Sequence, residues 1–252
     1  GVTAGGKPAR SRSRAAAEAR DLADRIEGEL RAAGTAERAV QEKRYLKSAL
    51  VHLGATVPAT RRIVRQIARA RPVLGRQGLL ALVRELWDRG IHECRGAAVE
   101  LLVAHRGLLA PADLRGLERM IRESRTWALV DELAANVAGG LVERFPALDR
   151  SVDRWVRDDD FWVRRAALLS DLVRLREGRG SLERFGRRAD ALLGDREFFV
   201  RKAIGEWGFD GLKIDGQHLN GAPPCFNPAH AHAGAADRHQ ICMRRWRWGL
   251  YP

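Results

Sequence analysis

The segment Phe161-Trp162-Val163-Arg164-Arg165-Ala166-Ala167-Leu168 returns 37 positions later as Phe198-Phe199-Val200-Arg201-Lys202-Ala203-Ile204-Gly205. A weaker copy, Glu93-Cys94-Arg95-Gly96-Ala97-Ala98-Val99, lies 69 residues before the first, close to two periods. Ala134-Ala135 falls in the slot between. A chain that repeats itself every 35–40 residues or so cannot bury an apolar face within one unit, so it must stack unit upon unit. Apolar residues recur at helical spacing inside each unit, and strand-forming runs are scarce, so the units are helix pairs. The expected fold is all-α, an α-solenoid of stacked antiparallel helix pairs. The Ala pairs let neighbouring helices approach closely. The Arg or Lys before each pair is expected to point outward and to line one surface with cations; the plainer alternative is a merely solvated helix face.

Three zones follow from composition along the chain. Residues 1–14, rich in Gly, Ser and Arg, carry no apolar period and are expected to form a disordered basic leader. Residues 15–205 hold the repeats. The first helix is expected from Ala15, with Leu22, Ile26 and Leu30 on one face, Gly34 ending it and Thr35 capping the next. Further helices are expected over 36–53, 58–70, 76–88, 91–105, 111–124, 127–143, 146–157, 160–175, 181–193 and 197–207. Residues 206–252 lose the helical period and are rich in Gly, Pro, His and Asn, so a non-helical, poorly ordered tail is expected there.

Lys and Arg number 45 against 32 Asp and Glu, a formal charge of +13. A polyanion, most simply nucleic acid, is the partner such a surplus favours. Arg outnumbers Lys 40 to 5; its planar fork suits phosphate, although a general bias toward Arg codons would give the same ratio. No apolar run approaches the roughly 18–20 residues of a membrane span, and the first 20 residues have no secretory apolar core. Three cysteines make no disulfide framework, so a reducing cytoplasm is expected. No phosphate-binding loop, dinucleotide fingerprint, HExxH or GxSxG is present. Trp127 and Asp131, four apart, share one helix face. Taken alone, that pair reads more readily as a core indole beside a surface acid than as a site. Trp87 and Trp155 sit at helical apolar positions and read as core; Trp162 reads as packing between repeats.

Four segments together resemble the AlkD-like family of DNA alkylation repair glycosylases, which have a HEAT-like repeat fold. They are Arg44-Tyr45-Leu46-Lys47 with Leu53-Gly54 and Pro58; Arg84-Glu85-Leu86-Trp87-Asp88; Trp127-x-x-Val130-Asp131; and the repeated Phe161 and Phe198 segments. The resemblance covers residues 36–205 or so. It implies a monomer that excises positively charged N3- and N7-alkylpurines from duplex DNA with no cofactor and no metal. It makes Asp131 the catalytic carboxylate, Trp127 its aromatic neighbour, Arg165 a contact to the DNA backbone and Tyr45 a further site aromatic. Lys47, Arg164, Arg201 and Lys202 would add DNA contacts. The family's second site Trp directly follows Ala-Ile-Gly; here Glu206 holds that slot and Trp207 comes one residue later. The chemistry suits these residue types. A cationic base is already a good leaving group, and a carboxylate can stabilise the oxocarbenium character that builds on the sugar. Two alternatives stay open: a non-catalytic DNA-binding relative, and a HEAT scaffold for protein.

Residues 207–235 or so instead resemble a fragment of an α-galactosidase-type glycoside hydrolase, with Asp215 in the nucleophile position. A barrel needs about 200 residues or more, so no glycosidase activity follows. Cys225, His230, His232, His239 and Cys242 are zinc-ligand types, but their spacing is not that of a zinc finger.

Overall fold

The structure, a computed structural model, describes residues 7–70 and 75–206. Its helices are α1 (Lys7–Ala33), α2 (Ala36–Leu46), α3 (Val57–Ala70), α4 (Gly75–Asp88), α5 (His92–Ala104), α6 (Leu114–Ser124), α7 (Trp127–Glu132), α8 (Gly139–Arg144), α9 (Asp149–Trp155), α10 (Phe161–Leu169), α11 (Leu172–Arg176), α12 (Leu182–Asp190) and α13 (Phe198–Glu206). Among the described residues the only β pairing is a single bridge, Val51 to Ile91. The fold is all-α, as the repeat requires. The described residues fall in one compact unit.

Helix α1 begins at Lys7, eight residues before the expected start, and takes in part of the expected leader. Pro8 sits in its first turn, where a missing N–H leaves no hydrogen bond unmade. Ile26 and Leu30 are fully buried, with Leu22 packed beside them. Thr35 caps α2 by accepting from the Arg38 N–H at 3.3 Å. Helix α2 ends at Leu46 rather than 53. Lys47 turns left-handed (φ 48°), with its own N–H on Arg44 O and the Ser48 N–H on Lys43 O, which closes the helix. The expected 160–175 helix is two, broken after Leu169.

The stack follows the chain. Helix α1 packs on α3, α4 and α5; α5 meets α7; α6 meets α7 and α10; and α10 packs on α9, α12 and α13. The repeated Ala97, Ala98, Ala134, Ala166, Ala167 and Ala203 are all fully buried, as a close helix approach demands. The period is written in side-chain bonds as well. Arg61 to Glu100, Trp87 to Glu123, Arg122 to Asp158, Trp155 to Glu118 and Arg188 to Asp153 each join residues 35–39 apart. Trp87 and Trp155 are core, and each indole N–H is satisfied by a glutamate of α6. Trp162 is buried, with its ring centroid 4.9 Å from Phe199 and 4.5 Å from Phe161.

One rod carries an irregularity. Helix α7 runs through a π-helical stretch, Leu133–Ala138, into α8. Eight α-helical residues would leave Gly139 about 80° around the axis from Asp131. The wider π turns take up that excess and bring both residues to the side that packs on α10 and α11. Gly139 then lies so close to the next helix pair that an added Cβ would stand 2.4 Å from Ser170 O. Gly139→Ala is therefore expected to destabilise the protein by about 1–3 kcal/mol. Gly140→Ala, whose methyl would meet only Arg106 Cδ at 3.6 Å, should be close to neutral. Thermal melts followed by circular dichroism compare the two, and equal midpoints would contradict the close approach.

Candidate active site

Helix α6 stops at Ser124, and the chain reverses through two residues. Arg125 takes a left-handed conformation (φ 47°) and Thr126 is extended, so Trp127 opens α7. Among the described residues, only Lys47 and Arg125 combine a side chain with positive φ. Each stands two residues from one of the two expected site aromatics, Tyr45 and Trp127. Backbone strain of this kind persists where surrounding structure holds it and is concentrated at functional sites. The two rings meet edge to face, with centroids 6.1 Å apart and planes at 86°. Tyr45 is 72% exposed while Trp127 is half-buried, so one ring leans on a fixed partner and faces solvent.

One turn after Trp127, Asp131 presents its carboxylate, 33% exposed, to a guanidinium that is only 2% exposed. Arg165 donates from Nε to Asp131 Oδ1 and from Nη2 to Oδ2, both at 2.7 Å. Its Nη1 donates to the Phe199 carbonyl at 2.6 Å. Its Cζ lies 5.9 Å from the centroid of the Phe199 ring. This bidentate fork fixes the plane of the carboxylate, and each oxygen keeps a further lone pair. Beside it, burial raises the Glu132 carboxyl above the usual range, and the Glu100 carboxylate adds to the effect.

The expectation of outward-pointing repeat cations is corrected here. Arg165 points inward, onto the acid. Arg164 is half-buried and grips Asp195 through Nε at 2.6 Å and the carbonyls of Asp158 and Asp159 through Nη1. Burial pushes Asp195 up, but the hydrogen bonds from Arg164 and the Glu197 N–H, with the charges of Arg164 and Arg201, together hold that carboxyl below the usual range. Both arginines tie neighbouring repeats together, because an acid or a carbonyl lies within reach one repeat away. Lys47 and Lys202 are exposed and Arg201 is half-buried. Trp207, the expected irregular tail, Asp215 and the Cys/His group lie outside the described residues.

The family of DNA alkylation repair enzymes matches residues 26–207, most of the chain. The chain belongs to this family. A solved structure described as a predicted DNA alkylation repair enzyme from Enterococcus faecalis has the same fold, with a TM-score of 0.61 at 18% identity. That likeness covers 68% of this chain and 80% of the other. A stretch of 49 residues is 44% identical to an A type blood α-D-galactosamine galactosaminidase of Flavonifractor plautii. It amounts to 19% of this chain and spans only 4% of that enzyme's length.

The Asp131–Arg165 ion pair can be tested for its part in the fold. Arg165→Lys keeps the charge but cannot make a two-pronged contact and reach Phe199 O as well. We expect Arg165→Lys and Arg165→Ala to destabilise the fold by similar amounts, about 1–3 kcal/mol. Denaturant titration measures both, and full stability in the Lys variant would show that charge alone suffices.

Proposed function

We propose that this chain hydrolyses the N-glycosidic bond of positively charged N3- and N7-alkylpurines in duplex DNA. The observation that carries the reading is the half-exposed Asp131 carboxylate, held in plane by the buried Arg165 and set one turn from Trp127. The leaving base is cationic, so no acid is needed to protonate it. As the bond lengthens, positive charge passes to the sugar, and the lone pairs that Arg165 leaves on Asp131 stabilise it and orient the attacking water. The Trp127 and Tyr45 rings would each add about 0.5–2 kcal/mol against the cationic nucleotide. Arg165 acts here as a positioning residue for the acid rather than as a direct phosphate clamp. Lys47, Arg201 and Lys202, with Trp207, are assigned to the duplex. The stacked pairs are read as HEAT-like repeats, and the protein as a monomer working in the cytoplasm. Among the described residues no helix is long and apolar enough to cross a membrane.

Asp131→Asn keeps the shape of the side chain and an acceptor oxygen for Arg165 while removing the charge. Release of N7-methylguanine from methylated duplex is expected to fall at least about 100-fold in single-turnover assays, with duplex affinity nearly unchanged. Excision at the wild-type rate would remove the catalytic assignment. Binding of undamaged duplex should weaken steeply as salt rises, because phosphate contacts release counterions. A flat response in a fluorescence-anisotropy titration would instead point to a protein partner for the stack.

A further inference from the structure

A second polar cluster lies between α2 and α5, apart from the Asp131–Arg165 pair. Here the chain from 52 to 54 wraps the Glu93 carboxylate, which is itself buried. The Leu53 N–H donates to both of its oxygens, at 2.9 and 3.0 Å, and the Gly54 N–H donates to Oε1 at 2.5 Å. Of about four lone-pair directions on a carboxylate, these use three and leave one on Oε2. His52 is 1% exposed at its side chain, and neither ring nitrogen has a hydrogen-bond partner. Glu42 Oε2 is buried and likewise unpartnered. It stands 3.8 Å from His52 Nδ1, too far for a hydrogen bond.

Buried polar atoms without partners are rare and call for a cause. Here they converge. One ligand atom each from Glu42, His52 and Glu93 lies within 4.8 Å of the other two. A tetrahedral ion with bonds of about 2.1 Å spaces its ligands roughly 3.4 Å apart, so the Glu42–His52 distance needs to close by only a few tenths of an ångström. His92 stacks on His52 with centroids 4.5 Å apart and planes at 10°. His92 is not one of the three donors that converge, and it forms a wall of the cluster. A cleft lined by Glu42, His92, Glu93 and, from α7, Ala128 and Glu132 borders the cluster.

We propose that Glu42, His52 and Glu93 hold a divalent first-row transition metal. The donor set of one imidazole and two carboxylates fits zinc, with water in the fourth position. The ion joins α2, the 47–56 loop and α5, and so fixes the end of α2 that carries Tyr45. Its role is structural, and it stands or falls independently of the proposed excision.

The test uses the full chain stripped by a chelator and titrated with Zn2+ and Co2+ near neutral pH. We expect one equivalent of either ion to bind, and zinc to raise the thermal midpoint. Bound cobalt should show visible bands of a four-coordinate ion without the sulfur charge-transfer band that Cys225 or Cys242 would give. His52→Ala and Glu42→Gln should each lower the affinity at least about 100-fold, while Asp131→Asn should not. The proposal is overturned by the absence of saturable one-to-one binding, or by wild-type affinity in the two variants. X-ray absorption of the zinc-loaded wild type decides the matter without any variant. A first shell of nitrogen and oxygen is expected, and a sulfur shell would place the ion elsewhere.

Discussion

One buried guanidinium ties three successive layers of the stack. Arg165 reaches 34 residues back to Asp131 and 34 residues forward to the Phe199 carbonyl. A charge with 2% exposure needs partners, because leaving a buried ion unpaired costs on the order of several kcal/mol. The repeats on both sides must therefore be in register for α10 to pack at all. The same contact leaves the Asp131 carboxylate in one orientation and partly open to solvent. A change that loosens the stack therefore also frees the Asp131 carboxylate to reorient.

The rest of the stack repeats this device with other atoms. Buried Arg188 answers Asp153 one repeat away and Asp149 and Asp171 beside it. Trp87 and Trp155 bury their rings and hand their N–H groups to glutamates one repeat away. Apolar packing through Ala pairs sets the distance between helices, and these directional bonds set their register. Part of the arginine complement is consequently engaged between helices: Arg165, Arg174 and Arg188 are buried. The net charge of +13 still favours a polyanion, but the exposed cations that would meet it are fewer than composition suggests.

Much of this was legible from residue order. The all-α class, most helix positions, the buried Ala pairs and the core positions of Trp87 and Trp155 follow from period and apolar spacing, which depend on near neighbours only. The Trp127–Asp131 pairing on one face follows from helix geometry alone. What could not be read was direction across the stack. Arg164 and Arg165 are adjacent in a charged doublet, a pattern that usually means solvent. Only the position of Asp195 and Asp131 one layer away turns them inward. The early end of α2 at Lys47 was equally hidden, since nothing in a Lys-Ser pair announces a left-handed residue.

The amino-acid order by itself determined that this chain must stack helix pairs, where most of the helices lie and which acid shares a face with which indole, because these depend on contacts within a few turns. Tertiary structure alone decided that Arg165 closes on Asp131, that a π-helical stretch brings Gly139 against Ser170, and that Glu42, His52 and Glu93 converge. Each of these joins residues about 10 to 50 positions apart, and no local pattern fixes the angle at which two distant side chains meet.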